Sequence, residues 1–331
     1  MKNRFLLLLS FFALSFQNYA QEGIPVYFDY LSDNYYLVFP SMAGIGEGGK
    51  IRGTIRKQWF NVEEAPSLQT LNAHFRLGDS DSGIGAIVYN DANGYHSQTG
   101  FKMTYAHHLR MGGEDIRALN QLSFGLSAGY LQSRLDESEF RSVIPDPVIN
   151  GADNSVGYFN VDFGMSYNFR DFYAHAAVLN ALGSSRDLYS VTEIDNVKRY
   201  VVSAGHIFGR NEWQIEPSVL FQLTDYTKEK TVDFNAKVYR DVDFGRVWGG
   251  VSYRRSFDGA QFLSNGTFGE QRLQLITPIV GANIKNFMVS YNYSYQMGDI
   301  RFDNGGFHQI TVGYDFGQSE RKYDCYCPAA Q

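Results

Sequence analysis

The stretch Phe287-Met288-Val289-Ser290-Tyr291-Asn292-Tyr293-Ser294-Tyr295 places large apolar residues at every second position, with Ser290, Asn292 and Ser294 between them. Successive side chains of a β-strand point to opposite faces, so Phe287, Val289, Tyr291, Tyr293 and Tyr295 share one face and the polar residues share the other. One surface requires an apolar medium and the other requires water.

The same alternation recurs along the chain. Leu122, Phe124, Leu126, Ala128 and Tyr130 alternate with Ser123, Gly125, Ser127 and Gly129, and Phe159, Val161, Phe163, Met165 and Tyr167 alternate with Asn160, Asp162, Gly164 and Ser166. His308 to Phe316 repeats it. A soluble sandwich fills its apolar face with branched aliphatic residues. Here Tyr and Phe dominate that face and Gly recurs on the opposite one, which suits a barrel with lipid outside and a polar inside. The expected fold is all-β, a transmembrane antiparallel barrel of about fourteen strands, the even number typical of bacterial barrels.

Composition supports this class. Mean hydropathy is -0.29, and beyond Ala20 no run is long and apolar enough for a transmembrane helix, but spanning strands escape hydropathy because every second residue is polar. The 23 Tyr and 26 Phe supply two interfacial girdles. Net charge is -6, with no basic cluster to hold nucleic acid. At the N-terminus, Lys2 and Arg4, the apolar run Phe5 to Phe16 and the small residue Ala20 read as a signal peptide over 1–20, cleaved before Gln21. That address implies the outer membrane of a Gram-negative bacterium. Both cysteines, Cys325 and Cys327, lie at the C-terminus, so no disulfide staples the barrel.

The domain reading is 1–20 signal peptide, 21–49 N-terminal segment, 50–317 barrel and 318–331 periplasmic tail. Short links are expected at Gly78 to Ser82, Arg170-Asp171, Gly209 to Asn211, Asp241 to Asp243 and Asn283 to Lys285. Longer ones are expected at Arg134 to Val156, Ala181 to Val197, Asp258 to Thr267 and Gly298 to Gly305. Short turns face the periplasm and long loops face outside, which puts both termini in the periplasm. The loop from Arg134 to Val156, with Pro145 and Pro147, is the first candidate for partner contact. Residues 21–49 carry Tyr27, Phe28, Tyr30, Tyr35, Tyr36 and Phe39, too aromatic for a free leader; they are expected inside the lumen or against its periplasmic mouth.

Motifs for chemistry are weak. Gly44-Ile45-Gly46-Glu47-Gly48-Gly49-Lys50 resembles a phosphate-binding loop, but Ile51 stands where Ser or Thr would hold magnesium, and Ile51 to Arg56 alternate as a strand rather than opening a helix. His107 and His108 are adjacent, so on a strand they point apart, one to the lumen and one to the girdle. Lipases and proteases of the outer membrane need a Ser or Asp positioned against His, and no spacing in the sequence singles out such a set. No catalytic, cofactor or metal site is expected, and the protein is read as a non-enzyme. Arg52 and Arg56 must point inward, since a charge on the lipid face costs about 2–4 kcal/mol, and Asp29 or Asp33 are candidate partners. Cys325-Tyr326-Cys327 has too few ligands for a closed zinc site and is a second candidate for partner contact in an oxidising compartment.

Taken in order, Tyr30, Pro40-Ser41-Met42-Ala43-Gly44, Arg56-Lys57-Gln58-Trp59, Ala65-Pro66, Asn90-Asp91-Ala92-Asn93-Gly94, Tyr105-Ala106, Leu122-Ser123-Phe124-Gly125 and Gly313-Tyr314-Asp315-Phe316 resemble the PorP/SprF family of type IX secretion and gliding-associated outer-membrane proteins of Bacteroidetes. Phe39, Ser41 and Met42 depart from the family's N-P-A-Y-A-G. The resemblance implies a barrel that works with other periplasmic or outer-membrane components of type IX secretion, in some members by holding the C-terminal domain of a secreted cargo or adhesin at the surface. A second reading, from the transport class, is a channel for small solutes or lipids. A plugged lumen favours the first and an open bore the second.

Overall fold

The structure, a computed structural model, describes Leu31 and residues 34–46, 48–58, 65–78, 80–111, 119–138, 153–183, 197–209, 212–264, 267–297 and 306–317, with the backbone alone over 260–271. The strands are β1 (Gly49–Gln58), β2 (Ser67–Arg76), β3 (Ser82–Asn93), β4 (His96–Arg110), β5 (Asn120–Asp136), β6 (Asp153–Phe169), β7 (Phe172–Leu179), β8 (Arg199–His206), β9 (Trp213–Thr224), β10 (Lys230–Val242), β11 (Gly245–Ser264), β12 (Thr267–Ile284), β13 (Phe287–Met297) and β14 (Phe307–Phe316). Each pairs antiparallel with its neighbour in sequence, and β14 returns to β1, so the sheet closes with no free edge. Every backbone group within the wall can therefore find a partner in the next strand, the condition for crossing a hydrocarbon layer. No described helix is long or apolar enough to cross a membrane.

The alternation read from Phe287 to Tyr295 is β13. Phe287 and Val289 are exposed on the outer wall while Met288, Ser290, Asn292 and Ser294 are buried inside. Outward Phe159, Phe163, Ile55 and Met103 behave likewise. The lumen is lined by polar and charged groups that pair across strands: Lys102 meets Asp162 at 2.5 Å, and Arg254 forks onto Asp233 through two hydrogen bonds of 2.6 Å.

Arg52 faces inward as its charge requires; Asp29 and Asp33 lie outside the described residues. Arg52 reaches Asp315 on β14 at 2.5 Å, across the closing seam. Gly313 makes this fit: a methyl there would sit 2.7 Å from the Arg52 Nη1. Removing one partner of a buried ion pair costs about 3–5 kcal/mol, because a desolvated charge is left behind. Arg52→Ala is therefore expected to lower the urea midpoint of the purified barrel, and Arg52→Ala combined with Asp315→Ala to lose less than the sum of the singles. Strictly additive losses would show that the pair does not hold the seam.

Two loop boundaries differ from expectation. The segment from Asp258 to Thr267 is no loop, because β11 and β12 continue to a link at 265–266. A register shift between Arg255 and Gly259 absorbs the Gly-containing segment and lets the ladder resume. At β5 and β6 the strands run on to Asp136 and Asp153, with Arg134 on β5 clamping Asp153 at 2.6 and 2.7 Å, so the connection is 137–152. Loop parity holds in part. Gly94-Tyr95, on the long-loop side, is a two-residue turn with Gly94 at φ +58°. On the short-turn side, Arg170-Asp171 and Lys285-Asn286 are tight links.

Candidate functional site: the occupied lumen

Residues 34–46 lie inside the barrel, in its short-turn half. Two single-turn 3-10 helices, Tyr35–Leu37 and Pro40–Met42, carry side chains that are almost wholly buried except for the half-buried Leu37. The wall is shaped for them. By register, Gly83, Ala106, Gly125, Gly164 and Ala177 form one continuous inward row across β3 to β7. A side chain at Gly125 would overlap the Pro40 carbonyl carbon and the Ser41 nitrogen, and one at Gly83 would overlap the Ala43 carbonyl oxygen. At Gly164 the nearest atoms would be Pro40 Cδ and Ser41 N, at 2.9 Å. Gly44, at φ +70°, lies against the Gly83 Cα. The segment thus rests backbone to backbone on a groove that any larger residue would fill.

Hydrogen bonds then fix it. The Ser41 hydroxyl meets that of Ser166 at 2.6 Å, and Tyr36 donates to Thr104 Oγ1 at 2.8 Å. The Gly44 amide donates to His74 Nδ1 at 3.0 Å. His108 Nε2 lies 2.9 Å from the Ala43 carbonyl oxygen, which only accepts, so that nitrogen carries the hydrogen while Nδ1 accepts from Ser123 at 2.8 Å. Phe39 and Tyr35 pack at 5.0 and 5.3 Å from the ring of His175, which also stacks on Tyr173.

The strongest anchor is Glu216 on β9. Its Oε1 accepts from Tyr35 at 3.0 Å and from Tyr173, and its Oε2 accepts from Tyr239. Lys237 Nζ lies 3.9 Å from Oε2 and 4.6 Å above the Trp248 ring. Glu216 and Lys237 are 1% and 2% exposed, so charge, three phenols and an aromatic face form a desolvated knot that holds the start of the segment.

Of the residues singled out from sequence, Pro40 and Gly44 belong to this seat, and Gly313 and Asp315 serve the Arg52 seam. Phe316 covers Gly49 on β1, and Tyr314 faces outward. Arg56 is buried 4.1 Å above the Phe307 ring, near the long-loop end of the lumen, with Gln58 buried beside it. The Gln58 amide donates to the Pro66 carbonyl at 2.9 Å. Asp91 and Gly94 lie on β3 and its turn, and Arg134 is on β5. His108 points into the lumen and His107 outward to Ser82, as adjacent strand residues must. Tyr30, Trp59, Pro145, Pro147, Cys325 and Cys327 lie outside the described residues. The glycine-rich stretch ends in a strand, so its likeness to a phosphate loop fails on context. No metal-binding group of His, Cys, Asp or Glu occurs among the described residues. Sequence reasoning did not single out Glu216, Lys237, Tyr173 or His175, since no local spacing links them.

A closed antiparallel barrel with an apolar outer wall and a polar lumen is the architecture of an outer-membrane β-barrel. The type IX secretion system membrane protein family PorP/SprF matches residues 20–314, and the chain belongs to that family. No curated protein matches the chain. Among solved structures, the deltaS2 mutant of the TodX monoaromatic hydrocarbon channel is similar with a TM-score of 0.50 at 7% identity, over 85% of this chain and 94% of that one. CdiB from Acinetobacter baumannii is similar with a TM-score of 0.43 at 8% identity, over 82% of this chain. The chain spans 60% of the length of CdiB.

Proposed function

We propose that this outer-membrane member of the type IX secretion family is a closed, non-enzymatic barrel that binds a secreted cargo or adhesin C-terminal domain for display at the cell surface. The carrying observation is the seated segment 34–46. A lumen occupied by backbone on a glycine row, and bolted through Glu216, His74 and His108, suits a scaffold rather than a conduit. Binding then falls to the two ends. On this reading residues 1–20 are a leader removed after Ala20, the short turns and the tail 318–331 face the periplasmic machinery, and the connection 137–152 meets cargo outside. The seam and plug residues keep the loops at fixed positions.

The channel reading draws on the other half of the lumen. Thr70 and Asn72 on β2 and Asn292 on β13 bury polar side-chain atoms that lack hydrogen bonds, a lining suited to water or a polar solute. The plugged half below weighs against through-flow.

Replacing residues 139–152 by a short Gly-Ser turn leaves the Arg134 to Asp153 clamp intact and tests the display role. The variant is expected to assemble normally, shown by heat-modifiable migration on gels, while a surface protein that depends on this barrel is lost to the medium. Unchanged display by the assembled variant would remove this loop from the partner surface.

A further inference from the structure

Buried cations of the lumen face carboxylates: Arg52 meets Asp315, Lys102 meets Asp162, Lys237 meets Glu216 and Arg254 meets Asp233. Arg76, the last residue of β2, departs from this. It is 9% exposed, yet none of its guanidinium nitrogens has a hydrogen-bond partner, and it makes no ion pair among the described residues. Its neighbours explain why. The Arg76 amide donates to the Gly48 carbonyl at 3.3 Å on the β1 side, and Gly83 is its partner on β3, so neither flank carries a side chain. One inward position further into the barrel stand Lys50 on β1 and His74, which already accepts from the Gly44 amide. Of the described carboxylates on this side of the mouth, Asp315 is taken by Arg52 and Asp81 lies 3.4 Å from Arg110. A desolvated cation beside other cations, with no counter-charge, is strongly unfavourable.

The unpaired charge has an exit. Arg76 borders the short turn that begins with exposed Leu77 and Gly78, and a long cationic side chain readily turns its head to water. A free ion has no place to join it where it now lies. The Ala43 carbonyl oxygen and the Gly44 Cα fill the space over Gly83, and the Phe316 carbonyl oxygen fills that over Gly48. The counter-ion is therefore met at the rim. Arg76 faces the lumen side of the wall, away from lipid headgroups. That position suits a carboxylate presented by a second polypeptide, whose two oxygens match the guanidinium fork.

We propose that Arg76 is the anchor for an acidic segment of a periplasmic protein, turning out at the short-turn rim to fork onto an Asp or Glu side chain. This rests on the reading that the short-turn end meets the secretion machinery, and it adds the sign of the partner's charge.

Two measurements on the full-length purified barrel test it. Arg76→Met keeps the stem and removes the charge, and is expected to raise the urea midpoint, the opposite of Arg52→Ala. A lowered midpoint would mean that Arg76 already has a counter-ion within its own chain and would overturn the proposal. A fluorescent peptide of alternating Asp and Gly is then titrated into the barrel in detergent micelles and followed by anisotropy. Wild type is expected to bind it, and Arg76→Met to bind it at least about tenfold more weakly, as when one partner of a close charge pair is removed. The matching Asn and Gly peptide is expected to bind neither protein. Arg170→Gln, at an exposed cation on another short turn, is expected to change the affinity less than about twofold. Equal losses in the Arg76 and Arg170 variants would reduce the attraction to general surface charge. Displacement of the peptide by inorganic phosphate, at a concentration where chloride has no effect, would assign the site to a free anion. Either result overturns the proposal. The 139–152 exchange reads the other end of the barrel, so a failure there and a failure here are told apart.

Discussion

Gly125→Val is expected to turn a silent barrel into a conducting one. Wild-type protein in a planar bilayer should show no steady conductance, because residues 34–46 occupy the short-turn half of the lumen. At Gly125 the obstructing atoms are the Pro40 carbonyl carbon and the Ser41 nitrogen, backbone atoms that cannot rotate aside. Overpacking that side chains can relieve costs about 1–3 kcal/mol; a clash with fixed backbone atoms has no such relief and costs more. It also competes against the Ser41, Ala43 and Gly44 hydrogen bonds, each a net contribution of about 1 kcal/mol, so the segment is displaced while the closed sheet persists. Gly53→Val is the control, since on the outer wall a Cβ there meets nothing nearer than Leu71 Cδ1 at 3.9 Å. Conductance by wild type, or continued silence of a correctly assembled Gly125→Val, would sink the plugged barrel.

Glu216→Ala should be the most destabilising single change inside the lumen. It removes the acceptor for three tyrosine hydroxyls and takes the carboxylate from a Lys237 that is 2% exposed. Breaking a buried charged pair from one side costs about 3–5 kcal/mol, read as a lowered urea midpoint at unchanged slope. The double variant Glu216→Ala with Lys237→Met should recover part of that loss, because the desolvated cation goes with its partner. If the double variant were no more stable than the single, the cost would lie in the tyrosine hydrogen bonds rather than in the charge. The same variant removes one hydrogen bond of Tyr35, so it is also expected to loosen the plug and add intermittent conductance.

The wall was legible in the sequence because its signal has a period of two residues: Phe287 to Tyr295, Leu122 to Tyr130 and Phe159 to Tyr167 face as their alternation dictates. The inward aim of Arg52 and Arg56 followed from the cost of a charge in lipid. The hairpin of β11 and β12 misled, because Asp258, Gly259, Asn265 and Gly266 compose like a loop, and a bulge that restores pairing leaves no local mark. Aromatic content marked 21–49 as a segment to be packed, and of it residues 34–46 are seen seated in the lumen, but the seat itself was out of reach. The recurring Gly on the polar face was visible at Gly125 and Gly164, yet its meaning depends on register: these residues become one groove only when β3 to β7 are aligned. Glu216 and Tyr35 lie 181 positions apart, and nothing short of the closed barrel brings them together.

The connection from the seated segment to β1 is only Ile45 to Gly48, with Gly46 and Gly48 in left-handed turns. β1 is also the strand that receives β14, the last to be made. The plug and the closing seam therefore meet on one strand, since β1 follows the seated segment directly and pairs with β14 along its length. A pull on the N-terminal chain is then a pull on the seam.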